Sequence, residues 1–585
     1  MQKQYPILVI ITFSAVLMVL NGWTKRTLSV DVVIYGGTPS GLAAAEAVVR
    51  NGLTPIVIEP TDHIGGMETG GIAVTDTTTP QYVGGIAHEF FEDVSAREAS
   101  RIGHAHVMQF RGKSIQWYEP GAWDLEPSVA RQVFEEWIRR GQYQVLLGKK
   151  VAKVNKTGST ISSIVLTDGT CIQGKEFIDA SYEGDLMVRA GASFTYGRES
   201  SDQYGESLAG IRPPYFKRNY TPEEYATPTH EYMHNGQFGA PLKGIQDGRL
   251  LWGIENGPLG EVGKADKHLQ AFCYRLVVTQ RPDLKRSWWK PQHYDPSHYE
   301  LLAHYIQAHP GIAFSRLVHL APIPNDKWDL NASGPFSIDY IGGNQGFFNA
   351  SYEQRDNYLQ AHKDYEQGFF WFLITDQRVP KQLKEEVLSW GPVKDEWTDN
   401  DNWPTQLYIR EGRRLLGEYT MTQWDIVRNK TKEDSVGMGS FVMDSHWVRR
   451  FMDSNGNVAV EGHLDESIDL ATNPYEISFR SLVPKRSEIT NLLVSVAISA
   501  SHVAICTIRM EPVYMVLGQS AGVAAVLAII SKRAVQDINV SMLEKELRKE
   551  GQVLHKSDPA PLPRRQRAGF RLHPFSAAAS EACVN

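Results

Sequence analysis

A chain of 585 residues, 42% of them hydrophobic, with 60 Lys and Arg against 67 Asp and Glu, excludes a disordered or collagen-like protein and can bury a core large enough to fold without disulfides or structural metal. A formal charge of −7 and a pI near 6.2 supply no global positive field, so nucleic acid is not an expected partner. The four cysteines, Cys171, Cys273, Cys506 and Cys583, are too scattered to form a thiolate metal or iron–sulfur site.

In chain order, residues 1–26 read first as a targeting segment, either a signal peptide or an uncleaved N-terminal anchor. Residues 7–20 are unbroken apolar or small, between Lys3 and the pair Lys25-Arg26. As a helix they rise about 21 Å, short of the roughly 30 Å hydrocarbon core. Both forms imply an exported protein, periplasmic or extracellular, that meets a membrane only through that anchor.

Residues 31–35 then read as a β-strand, Gly36-Gly37-Thr38-Pro39-Ser40-Gly41 as a tight turn, residues 42–50 as an alanine-rich helix, and residues 55–58 as a second strand ending at Glu59. Glu59 lies 23 residues after Gly36 and 18 after Gly41, near the spacing of a dinucleotide-binding βαβ unit. Each part has a physical task. Glycines admit the backbone to a pyrophosphate, the helix N-terminus offers unpaired N–H donors, and the acid accepts from ribose hydroxyls. Thr38 departs from the pattern, which has its second glycine there. The turn Gly65-Gly66-Met67, just after the acid, favours FAD over a nicotinamide cofactor.

Further on, residues 176–191 place an apolar strand before a small-residue turn with Asp179, Ala180, Gly184 and Asp185, a return to the cofactor. Residues 517–525, with Gly518, Gln519 and Gly522, read as a glycine-opened, alanine-rich helix suited to close approach of a ligand. Residues 556–585 read as a disordered tail rich in Pro, Arg and Ala.

These blocks resemble the FAD-dependent oxidoreductase family of exported bacterial proteins often labelled xanthan-lyase-like, related to the flavin subunit of heterodisulfide reductase. The resemblance spans about residues 30–530 and takes in Gln270-Ala-Phe-Cys-Tyr-Arg275, Asp329-Leu-Asn331, Gln406-Leu-Tyr-Ile-Arg410 and Asp444-Ser-His446. It implies an α/β fold, a Rossmann-like FAD-binding domain of the glutathione-reductase type in two pieces, 30–200 and 401–535. A mixed α+β substrate or cap domain, 201–400, is inserted between them. The implied chemistry is hydride transfer from a small organic or carbohydrate-derived substrate to flavin. The cysteine-rich cluster motifs of the reductase relatives are missing, and no second dinucleotide fingerprint follows Gly334 to Gly346, so no motif identifies the electron acceptor.

Among catalytic candidates, His502 and Arg509 precede the Gly518 helix, and imidazole titrates near neutral pH. Arg410, Arg413 and Arg414 fall at helical spacing on one face, and His446 is flanked by Asp444 and Trp447. A core histidine, a solvated charged face and a structural histidine are the plainer readings of the same residues. Aromatic runs such as residues 369–372 are expected mostly in the core, with carbohydrate contact as a lesser alternative. Two other functions stay open: a lyase or hydrolase with a structural or redox-cycling dinucleotide, and a non-catalytic binding protein on a degenerate flavin fold, which Thr38 motivates.

Overall fold

The computed structural model describes residues 27–77, 79–103, 123–213, 238, 240–428, 430–464 and 474–561. The targeting segment and the tail beyond residue 561 lie outside them. The chain enters through β1 (Thr27–Ser29) and β2 (Val32–Tyr35), turns into α1 (Pro39–Arg50) and returns as β3 (Pro55–Ile58). Helices α2 (Gly66–Gly70), α3 (Gly85–Ile102) and α4 (Pro127–Gly141) lead to β4 (Gln144–Leu146). Three antiparallel strands, β5 (Val151–Thr157), β6 (Thr160–Leu166) and β7 (Cys171–Gln173), then precede β8 (Glu176–Asp179) and α5 (Asp185–Ala190).

A second sheet comes from the middle of the chain: β9 (Leu276–Thr279), β10 (Val318–Ile323), β11 (Lys327–Ala332) and β12 (Gly391–Pro392), antiparallel in the order β10-β11-β9-β12. It packs with α6 (Tyr352–Thr375), whose start is fixed by a capping box in which Ser351 and Gln354 satisfy each other's backbone N–H. The core of this region is aromatic. Trp288 stacks on Phe370 with ring centroids 4.0 Å apart, and Phe369 and Phe372 are buried beside them, so the run at 369–372 is core packing. Trp447, Val458 and Val460 join that core, so packing does not follow the boundary expected at residue 400.

The last third returns to the first sheet as β13 (Leu492–Val494), followed by α7 (His502–Ile508) and α8 (Glu511–Ser531). The result is a five-stranded parallel sheet in the order β13-β8-β2-β3-β4. Its inner strands are buried on both faces, which is why they read as continuous apolar runs. Alternation still sorts them: Val32 and Ile34 face the core made with α1, α3, α4 and α8, whereas Val33 and Tyr35 face the core under β5, β6 and β7. Helix α8 is long and apolar enough to cross a membrane, but 89% of its apolar stretch is buried inside the protein. It is a core helix.

Candidate functional site

The turn after β2 is built for close backbone packing. Gly36 has φ +107°, and a Cβ there would lie 2.6 Å from the backbone of Ala180; one on Gly41 would lie 1.9 Å from the Gly36 carbonyl oxygen. Gly37 N–H donates to Glu59 Oε2 at 2.7 Å, and the Thr61 amide and hydroxyl both donate to Oε1 at 2.7 Å. Burial nevertheless pushes the Glu59 carboxyl up to about 7. Thr38 has an extended backbone (φ −68°, ψ 170°), so nothing in its conformation demands glycine. Its hydroxyl accepts from Gly41 N–H at 3.2 Å, capping α1, and donates to the Ala180 carbonyl at 2.7 Å. Pro39 fills the first helical turn, where it has no amide to waste. Ser40 Oγ donates to Ser495 Oγ at 2.8 Å, joining the turn to the end of β13.

Beyond Glu59, Gly65 N–H donates to the Gly37 carbonyl at 2.6 Å. A Cβ on Gly66 would sit 2.4 Å from the Tyr182 hydroxyl. The Met67 amide donates to that hydroxyl at 3.0 Å, and the hydroxyl donates to Glu511 Oε1 at 2.7 Å. Burial pushes Glu511, in the first turn of α8, up to about 8. Tyr182, Gly412, Arg413, Val496 and Tyr514 line a small hollow beside this helix start. Glu511 Oε2 and His502 Nε2, both buried nearby, have no hydrogen-bond partner. A backbone-lined turn, a helix N-terminus, an acid at the ribose distance and orphaned polar atoms at the far end fit an extended flavin dinucleotide.

Other expected cofactor contacts are occupied by the protein itself. Helix α8 begins at Glu511, seven residues before Gly518, so no glycine opens it. A Cβ on Gly518 would lie 2.0 Å from the Ser40 carbonyl oxygen and one on Gly522 2.6 Å from that of Ala44. These glycines let α8 cross α1 closely; they do not face a ligand. Gln519 accepts from the Ile86 amide at 2.8 Å and donates to Glu550 at 2.8 Å. Asp179 is spent on the Ser181 and Met187 amides, and the Ala180 carbonyl on Thr38. Gly184, in the left-handed region, caps the start of α5. Asp185 takes Arg355 of α6 at 2.7 and 3.0 Å and Arg413 at 2.7 Å, so it clasps the two sheets together.

The catalytic candidates fare differently. Residues 406–416 form no helix, and the three arginines diverge to separate carboxylates: Arg410 to Asp339 (3.0 Å), Arg413 to Asp185 (2.7 Å) and Arg414 to Glu199 (2.6 Å). Burial and tertiary ion pairing override the helical spacing. Three of the four catalytic candidates meet in one buried ring. Arg410 pairs with Asp339, and Asp339 Oδ2 lies 2.6 Å from His446 Nδ1. His446 Nε2 lies 3.7 Å from Asp444 Oδ2, which takes Arg509 at 2.6 Å. Arg509 also donates to the Tyr408 hydroxyl at 2.5 Å, and the Arg410 and Arg509 guanidiniums lie 4.8 and 5.4 Å from the Tyr408 ring centroid, closing the circuit. Burial alone would raise Asp339, but Arg410 and His446 overcome it and hold the carboxyl at about 2.

His502 stands outside this ring. Its Nδ1 lies 2.6 Å from Glu411 Oε2; Glu411 Oε1 accepts from the Gln270 amide, and Gln270 Oε1 accepts from the His446 amide at 2.9 Å. Sequence reasoning missed Asp76 altogether. It is half-buried, and burial and Asp444 push it up to about 6 against the pull of Arg275 and Arg509. Its only sequence signal is that it ends the apolar run following Gly70-Gly71.

The profile of the family described as FAD dependent oxidoreductase matches residues 31–547. No curated protein matches the chain. Among solved structures, the flavin-containing monooxygenase from Stenotrophomonas maltophilia is 18% identical, with a TM-score of 0.19, over 30% of this chain and 44% of its own. L-amino acid deaminase from Proteus vulgaris is 13% identical, with a TM-score of 0.21, over 30% of this chain and 53% of its own. L-proline dehydrogenase from P. horikoshii is 14% identical, with a TM-score of 0.22, over 30% and 59%. The chain therefore spans roughly half the length of the structures it matches.

Proposed function

The chain belongs to the FAD-dependent oxidoreductase family and is an FAD-dependent enzyme, and from that premise we propose that it oxidises a small organic or carbohydrate-derived molecule by hydride transfer to the flavin. The parallel sheet is read as an FAD domain of the glutathione-reductase type, with the antiparallel region inserted as its substrate domain. Residues 7–20 support export. The electron acceptor is unidentified.

When bound, FAD supplies a two-electron acceptor. The Gly36–Gly37–Thr38 backbone and the N-terminus of α1 would hold the pyrophosphate, Glu59 would hold the adenosine ribose, and Gly65, Gly66 and Met67 would lie alongside the dinucleotide. Arg509 and Arg410 place positive charge where an oxygen of the substrate becomes negative. His446, oriented by Asp339, is positioned to accept the substrate proton, and Asp76, which burial and Asp444 push up to about 6, is the second candidate base. His502 acts through Glu411 and Gln270 as a positioning residue.

The buried ring from Arg410 to Tyr408 is the observation that supports this reading, because opposed charges of that number are costly to bury without a task. The test is anaerobic mixing of the FAD-loaded protein with a panel of small alcohols, amines and sugars, following flavin absorbance. Bleaching by one class, with a slope against pH that Asp76→Asn abolishes, is the expected result. Turnover without bleaching would favour a lyase instead. The degenerate-fold reading loses its motive, since Thr38 caps α1 from an extended backbone.

A further inference from the structure

A pocket of about 250 Å³ opens on the antiparallel side, walled by Trp252, Glu255, His268, Tyr340, Arg449 and Arg450. That is below the roughly 300–1,000 Å³ of sites for drug-sized ligands, so it suits a smaller molecule. Tyr340 directly follows Asp339, which places the pocket beside the charged ring.

Most of the charge on its wall is already matched. His268 lies 2.9 Å from both Asp266 Oδ2 and Glu255 Oε1. Arg449 pairs with Glu255 at 3.1 Å and Glu461 at 3.0 Å. Arg450 differs. Only 4% exposed, it donates to the Pro335 carbonyl at 2.9 Å and lies 4.8 Å from the Phe336 ring centroid. Its Nε has no hydrogen-bond partner, and among the described residues no carboxylate pairs with it. Burial lowers its pKa against the weaker opposing pull of Tyr365 and then Asp339, whereas Arg275, Arg410, Arg414 and Arg509 are each raised beside a carboxylate. A buried guanidinium without a counter-ion is expensive, and an incoming anion would offset that cost. Trp252 and Tyr340 stack on each other with centroids 5.3 Å apart, and they stack further on His298 (4.2 Å) and Tyr365 (4.7 Å) respectively, so the same pocket has a rigid aromatic wall.

We propose that this pocket binds a small monocarboxylate with a planar body, its carboxylate paired with Arg450 and its body against Trp252 and Tyr340. Calling that ligand the substrate rests on the oxidoreductase reading; the binding does not. The test is calorimetric titration of the FAD-loaded full-length protein with benzoate, with benzamide as its neutral isostere and with acetate as a carboxylate lacking the planar body. Benzoate is expected to bind at least tenfold more tightly than either, and Arg450→Gln to reduce it to the benzamide level with flavin content unchanged. Arg450→Lys should keep part of the preference, because it restores charge without the planar fork. Equal affinity for benzoate and benzamide, no binding of benzoate, or full benzoate binding by Arg450→Gln would overturn the proposal. The benzoate-to-benzamide ratio of the unmutated protein decides the charge requirement even where a variant fails to fold. A protein that binds benzoate yet is bleached by no substrate would keep the pocket and lose the oxidoreductase reading.

Discussion

The turn after β2 and the charged ring closed by Arg509, just before α8, are ordered by opposite means. The turn is local: Gly36 to Met67 brings together backbone amides, four tight glycines (Gly36, Gly41, Gly65 and Gly66) and one acid. Its specificity is steric, since a single methyl group has nowhere to go. The ring is dispersed: its members come from Asp339, Tyr408, Arg410, Asp444, His446 and Arg509, and its order comes from matched charge in a buried place. The first should therefore fail by volume and the second by charge.

The largest effect is expected from Arg509→Met, which is close in size but leaves Asp444 buried beside an unanswered charge balance. Removing one partner of such a pair costs about 3–5 kcal/mol, to be read by denaturant unfolding, and substrate-driven bleaching should vanish. A loss of under about 1 kcal/mol would mean the ring is wetter than its geometry suggests. Gly36→Ala comes next. A side chain at φ +107° costs about 1–3 kcal/mol in backbone strain before any contact with Ala180 is counted, and purified protein should carry little or no FAD. A variant that retains full flavin content would break the contrast, because the turn would then tolerate volume.

Thr38→Ala sharpens the contrast at lower cost. It deletes the cap and the Ala180 bond together, so about 1–2 kcal/mol is expected, whereas Thr38→Gly keeps a good cap residue and should lose less. Both should still bind FAD. The last effect is a slope. Glu511 is neutral in the folded protein up to about pH 8 against a usual value of 4.5, so between those limits the native state holds a proton that the unfolded chain has lost. Stability from this group is complete below pH 4.5 and declines as pH rises, by at most about 1.4 kcal/mol per unit. Glu511→Gln should flatten the stability-versus-pH curve over that window, measured as the difference from the unmutated protein.

The same contrast explains what was legible beforehand. Strand, turn, helix, strand and acid run consecutively from Val32 to Glu59, and their apolar pattern and glycine spacing carry the information without any distant contact. The Gly518 helix was misplaced because its alanines and glycines outweighed the start signal of Glu511-Pro512, a proline in the first turn. Arg410, Arg413 and Arg414 have helical spacing, but Gly412 interrupts them and each follows its own carboxylate, which no local pattern encodes. Local sequence context marks Arg410, His446 and Arg509 one by one; that they share a circuit through Asp339 and Asp444 depends on packing across some 170 residues. Asp76 had neither a motif nor a periodicity to mark it.

Strand β13 pairs with β8, joining Leu492 to Phe177. During synthesis the first four strands of the parallel sheet emerge early, and their fifth partner follows β8 by 313 residues. At about 5–20 residues per second that gap lasts roughly 15–60 s. For that interval one flank of β8 is an unpaired edge, and the face of α1 that receives Gly518 is bare apolar surface, both invitations to aggregation. Chaperone dependence should therefore concentrate while residues 180–494 are being made, and release of the chain before residue 494 should yield a species that lacks the fifth strand of its sheet and the Ser40–Ser495 bond that ties the turn to it.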